Sequence, residues 1–201
     1  MVESANTYYR DSSFYDFKLL STYGFTEDEV IKLEESENVI SAEGTFSTDF
    51  LLVASDESET ALKAMSLPEK INTLELKEGR MPEADNECVI DATQFSSDML
   101  GEKIVIADSN SHDVKESFKY KEYTVVGLVY SPLYISYERG TTSLGNGKLN
   151  GYVYIKADGF NFDYYTEMYI TCQNKYDIYE EAYEDFIEEL DDTEKKQVRE
   201  A

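Results

Sequence analysis

The sequence contains no tryptophan, one histidine, three prolines, two cysteines and 18 lysines and arginines against 42 acidic residues. Each scarcity excludes something. The formal net charge of -24 repels nucleic-acid backbones and anionic lipid headgroups, so nucleic-acid binding is excluded. The same field attracts cationic partners such as basic peptides, and it also serves solubility. His112 stands alone in the polar loop SNSHDVKES, with no carboxylate spaced to orient it, and reads as solvated surface rather than a general base. Cys88 and Cys172 sit in strand-like runs (NECVID and MYITCQN) without CxxC or Cys/His ligand spacing. They read as small buried hydrophobes, with a disulfide between them left open. No run approaches the roughly 18 apolar residues that span a bilayer, and the opening MVESANTYYR has neither a basic nor an apolar leader region. As given, the chain reads as a soluble domain.

What is present is strand chemistry. At 201 residues the chain buries a core without covalent staples, as one domain or one plus an insertion. FYDFKLLS (residues 14–21) alternates and carries aromatics, predicting a strand. Thr26 and Glu29 then form a capping box, with Phe25 and Val30 placed for a hydrophobic staple, and a helix follows over 27–36. Residues 38–55 return to β-branched and aromatic residues around Gly44, as one bent strand or two strands meeting at a bulge. TALKAMSLP (60–68) has helix-forming residues but only two turns before Pro68, and is assigned to a strand. Strands are expected at 71–79, 87–91, 102–108, 118–131, 150–158 and 163–174, with a helical turn within 92–100. The mixed alternation of residues 118–129 predicts a bulge near Glu122, and Asn146-Gly147 suits a type I′ turn. From residue 175 onward a helix with a narrow stripe of Tyr179, Tyr183, Phe186 and Leu190 and an acidic far face resembles the start of a coiled coil or stalk.

No set of residues stands out as catalytic, cofactor-binding or metal-ligating. The loop DSNSHD alternates oxygen ligands, but it lacks the glycine of a calcium loop at the sixth position and has Lys119 where the bidentate Glu belongs. LGNGK is too short for a phosphate loop, and abundant carboxylates leave no particular pair distinguished. The chain reads as a non-enzyme. Seventeen tyrosines fit half-buried strand positions, while Tyr130, Tyr134 and Tyr137 form a cluster that is a candidate partner contact. In LELKEGRMPEADNECVID, Gly79 permits a backbone turn, Pro82 stops the ladder, and Arg80 is held by an acid such as Glu87 or Asp91.

That segment, followed by MLGEKIVIA and EYTVVGLVYSPLYI, resembles the extracytoplasmic core domain of MacB-like and FtsX-like ABC transporter permeases of the Gram-positive type. The likeness rests on Gly79-Arg80-x-Pro82, Asn86-Glu87, Gly101 and Gly127 in that order, and extends over residues 14–200. It implies an α+β fold: a mixed α/β porter-like layer formed by both chain ends (14–78 and 158–200), a β-rich inserted subdomain (79–157) and the long C-terminal helix. It further implies an extracellular domain of a membrane-embedded, dimeric permease partnered by a cytoplasmic ATP-binding subunit. Such a domain uses no cofactor and transmits the work of ATP hydrolysis to a peptide, lipid or lipoprotein, or to an extracellular protein. A free-standing cell-surface binding or adhesion domain for peptide or glycan is the alternative from a different class.

Overall fold

A computed structural model of the chain describes residues 12–36, 38–53 and 58–173. Tyr8, Tyr9 and the C-terminal helix expected from residue 175 lie outside them. The fold is strand-rich, with one antiparallel and one mixed sheet and few helices. Its described elements are β1 (Phe17–Phe25), α1 (Glu27–Glu34), β2 (Val39–Thr45), β3 (Ser47–Val53), β4 (Glu59–Ser66), β5 (Glu75–Gly79), β6 (Glu87–Asp91), β7 (Lys103–Ile106), α2 (His112–Glu116), β8 (Glu122–Tyr130), β9 (Tyr152–Ile155) and β10 (Tyr165–Cys172). They divide into two compact units.

The first unit is built from both ends of the described chain: residues up to 45, 68–73, and 164 onward. Its sheet has the order β1-β10-β2, antiparallel throughout, with Phe17 opposite Ile170 and Met168 opposite Gly44. The helix α1 begins where the capping box was expected, since the Thr26 hydroxyl accepts from Glu29 N and the Glu29 carboxylate accepts from Thr26 N. Its apolar side, Val30 and Leu33, joins Phe17, Phe25, Val39, Ala42, Met168 and Ile170 in one buried cluster. Phe25 and Val30 therefore meet as a staple does. A turn at 69–71 is tied to β2 by the Glu43 carboxylate, which accepts from the N–H groups of Glu69, Lys70 and Ile71 at 2.7–3.0 Å.

The second unit, residues 46–67 and 74–163, is a closed barrel with one extra strand. Its sheet runs β5-β8-β6-β9-β4-β3-β7, and β7 also pairs with β8, so six strands from β8 round to β7 complete a ring. The pairs β4–β9 and β6–β8 are parallel and the rest are antiparallel. Alternate residues point inward: Phe50 and Leu52, Leu62 and Ala64, Cys88 and Ile90, Ile104 and Ile106, Val153 and Ile155 fill the interior. Complete burial of a side chain such as Leu62 or Ile90 contributes about 2 kcal/mol relative to exposure. The outer face of β4, β6, β8 and β9 is buried too, by Met65, Val89, Val129, Tyr152 and Tyr154 against Leu74, Leu133 and Tyr134. Residues 131–139 thus form a cover. That cover is held by Arg139, which pairs with Asp91 through Nε to Oδ2 and through Nη2 to Oδ1 at 3.0 Å, with both side chains almost wholly buried.

Three expectations are revised. The boundary drawn at 78/79 and 157/158 falls instead at 45/46 and 163/164, because β3 and β4 pair with β7 and β9 of the barrel. One residue, Phe46, separates β2 from β3, and the two strands enter different sheets. The bulge in β8 lies at Val126 rather than near Glu122, since Cys88 pairs with Val125 and Val89 with Gly127. This slip lets Val125 and Leu128 both face inward. In the 144–147 turn the positive φ angles fall on Gly145 and Gly147, not on Asn146, whose side-chain oxygen accepts from Lys148 N at 3.1 Å instead. Cys88 and Cys172 are free, each buried in its own sheet.

The Asp91–Arg139 pair is desolvated on both sides, so removing one partner strands a charge in the interior. Arg139→Ala is expected to lower unfolding stability by about 3–5 kcal/mol, read from urea denaturation. The double change Asp91→Leu with Arg139→Met should cost clearly less than the single one. Equal losses would show that the charge pair is not what holds the cover.

Candidate functional site

The residues singled out in the sequence, scattered from 79 to 127, meet at one stretch of β8. Arg80 N donates to Val126 O at 2.9 Å, Gly101 N to Val125 O at 2.8 Å, and Thr124 N to Asn86 O at 2.9 Å. Gly79 and Gly127 are direct register partners of β5 and β8. Three short segments, at 79–80, 86 and 101, therefore converge on four consecutive residues of a fourth, 124–127. The crowding explains the glycines. Gly79 has φ +81°, and a Cβ there would run into the Val126 carbonyl; a Cβ on Gly127 would run into the Arg80 carbonyl.

Arg80 closes the site. Its guanidinium takes both oxygens of the Glu87 carboxylate, with Nη1 at 2.7 Å from Oε2, and Nη1 also donates to Met81 O at 3.0 Å. Glu87 Oε2 further accepts from Glu83 N at 2.8 Å and Ala84 N at 3.1 Å. The segment containing Pro82 is thus wrapped around one carboxylate. Its pKa is lowered to about 2, first by the Arg80 hydrogen bonds and then by those from the Glu83 and Ala84 backbone, against a smaller opposing effect of burial. Of the two acids open as partners of Arg80, Glu87 fills the role. Asp91, at the far end of the same strand, takes Arg139.

Sequence reasoning missed Arg139. The signal was present: ECVID has a carboxylate at each end of an apolar strand, and Arg80 and Arg139 are the two arginines among the described residues. Of the tyrosine cluster, Tyr134 stacks on Tyr152 at 4.8 Å with Arg139 over both rings, and Tyr130 is half-buried with Lys77 5.7 Å from its ring centre. Tyr137 is 72% exposed and its neighbour Ile135 64%. These three tyrosines therefore do not share one surface role: two pack, and one faces solvent. The calcium-like loop has another use. Asn110 is buried and bonds both Leu51 N (2.8 Å) and Leu51 O (2.7 Å), extending the β3 edge past the end of β7. His112 opens α2, exposed. Among the described residues no group of three His, Cys, Asp or Glu side chains is placed to hold a metal.

No protein-family model and no curated protein matches the chain. Solved structures similar to it include the periplasmic region of MacB from Actinobacillus actinomycetemcomitans, at 12% identity over 86% of this chain and 73% of that one, TM-score 0.45. The extracellular domain of the noncanonic ABC-type transporter YknZ from Gram-positive bacteria is similar at 13% identity over 82% and 84%, TM-score 0.45. A permease-protein domain from Porphyromonas gingivalis is similar at 16% identity over 80% and 65%, TM-score 0.44.

Two measurements check the geometry of the site. Gly127→Ala and Gly79→Ala are expected to destabilise the barrel strongly, by more than the ~1–2 kcal/mol of an unfavourable backbone angle alone. Gly101→Ala, whose Cβ meets nothing within 4 Å, should stay within that range. Because the folded pKa of Glu87 is depressed, its stabilisation is complete above the unfolded value near 4.5 and fades as pH falls toward about 2. The stability gap between the wild type and Glu87→Gln should therefore narrow across that window in acid titrations of unfolding. A gap constant with pH would remove Glu87 as the titrating partner.

Proposed function

We propose that this chain is the extracellular domain of an ABC transporter permease of the MacB-like and FtsX-like kind, a module that moves with the permease and does no chemistry of its own. ATP hydrolysis belongs to a cytoplasmic subunit, and the domain passes the resulting motion to a substrate or partner outside the membrane. The observation that carries this reading is the convergence on residues 124–127: the four sequence segments on which the resemblance rests prove to be parts of one structural knot. Chance similarity of short motifs gives no reason for them to meet in space.

The pairing of the first described strand with the last fits the same role. Asp16 N donates to Ile170 O at 2.8 Å and Cys172 N donates to Asp16 Oδ2 at 2.7 Å, so the described chain begins and ends on paired strands. A domain inserted between two membrane helices needs its first and last strands to be neighbours. No helix among the described residues is long and apolar enough to cross a membrane, so in this reading the spanning helices belong to the flanking sequence of the parent. The parent is taken to be dimeric, and its cargo, whether peptide, lipid or lipoprotein, is not selected by any residue of the knot.

The test is on the parent gene and its product. Translation on both sides should show an apolar helix just before residue 2 and at least three more after residue 201, and the detergent-solubilised parent should co-purify with an ATP-binding subunit. An export signal ahead of the domain with a wall anchor behind it would overturn the proposal in favour of an adhesin.

A further inference from the structure

Beside the end of β7 the barrel unit carries a cavity of about 240 Å³, a volume below the roughly 300–1,000 Å³ of pockets that hold drug-sized ligands and suited to a smaller one. Its floor is apolar, closed by Ile106 and Phe118 of the barrel core, and Tyr120, 37% exposed, lines it with its ring 5.9 Å from Tyr123 at 89°. Its rim is cationic, formed by Lys115, Lys119 and Lys121 with Asp108. In a chain of net charge -24 this is a local inversion of sign.

The hydrogen bonds of the lysines explain why the inversion survives. Lys115 Nζ donates to Asp108 O at 3.1 Å and Lys119 Nζ to Asp158 O at 3.1 Å. Both acceptors are backbone carbonyls, which orient an ammonium without neutralising it. Lys121 Nζ alone meets a carboxylate, Asp108 Oδ1, at 3.0 Å. That bond holds the Asp108 carboxyl below its ordinary range. Three lysines against one aspartate leave two positive charges around an apolar floor.

We propose that this cavity binds a phosphate monoester carried on a small apolar or aromatic body. A monoester bears about -1.5 to -2 charges at neutral pH, which matches the rim. Lysine ammonium groups act on phosphate as point charges, whereas a planar carboxylate is best matched by the arginine fork that this rim lacks. Tyr120, the exposed aromatic of the lining, receives the body. The site is separate from the knot at residues 124–127 and does not depend on the transporter reading.

The experiment is an NMR titration of the ¹⁵N-labelled full chain with phenyl phosphate, with inorganic phosphate and phenol as comparison ligands. Saturable shifts confined to amides around 106–121 are expected in the millimolar range, weakening as salt is raised. Phenyl phosphate should bind more tightly than inorganic phosphate, and phenol should not saturate. The exposed double change Lys115→Ala with Lys119→Ala should weaken binding roughly tenfold or more, with unshifted resonances elsewhere reporting an intact fold. Asp108→Asn keeps all three lysines and should tighten binding. The proposal is overturned if phenyl phosphate gives no saturable shifts there, if inorganic phosphate or phenol binds as well, or if the lysine variant binds like the wild type.

Discussion

Strand β6 is held at both ends by an arginine on a carboxylate, and the barrel unit is organised around that constraint. Glu87 opens the strand and takes Arg80; Asp91 closes it and takes Arg139. Between them Cys88 and Ile90 face the interior and Val89 faces the cover. A slip of one residue would turn these three side chains to the wrong faces and part both ion pairs at once. The strands on either side, β8 and β9, inherit their register from this one.

The two clamps do different physical work. The Arg80 side chain is 46% exposed, and a solvent-screened pair of this kind adds little by Coulomb attraction alone. Its value is geometric, because the same Glu87 oxygen gathers the backbone N–H groups of Glu83 and Ala84 and so folds the Pro82 segment around itself. The Asp91–Arg139 pair is shielded from water by Tyr134 and Tyr152, whose rings lie 5.8 and 5.6 Å from the guanidinium carbon. There the charges bind each other strongly, and either one alone would be costly.

Carboxylates that looked interchangeable in so acidic a chain have distinct structural duties. Glu43 caps a turn with three backbone donors, and Glu167, buried, takes Lys18 at 3.0 Å and the Tyr169 hydroxyl at 2.7 Å. In the proposed role these duties matter more than any chemistry. Within the barrel unit Arg80 ties the segment after β5, and Arg139 ties the cover, to the two ends of one strand of the six-stranded ring. In the first unit β1 and β10 pair, so the first and last described strands share a single sheet.

Local chemistry was enough to read the capping box at Thr26, the choice of strand over helix at 60–68, the strand 87–91 and the Gly79–Pro82 turn, because each depends on residues near one another in sequence. The grouping of both chain ends into one unit came from the family resemblance and not from local chemistry. The sequence reading misplaced the boundary of that unit, the position of the β8 bulge and the partner of Asp91. Those were decided by tertiary structure for one reason: each depends on which strand lies alongside. Closing the ring requires β7 to meet both β3 and β8, which draws β3 and β4 into the barrel, puts the extra residue at Val126, and brings Arg139 over the end of β6. Periodicity records which face of a strand is buried but not which neighbour buries it, and that choice is made only when the sheet closes.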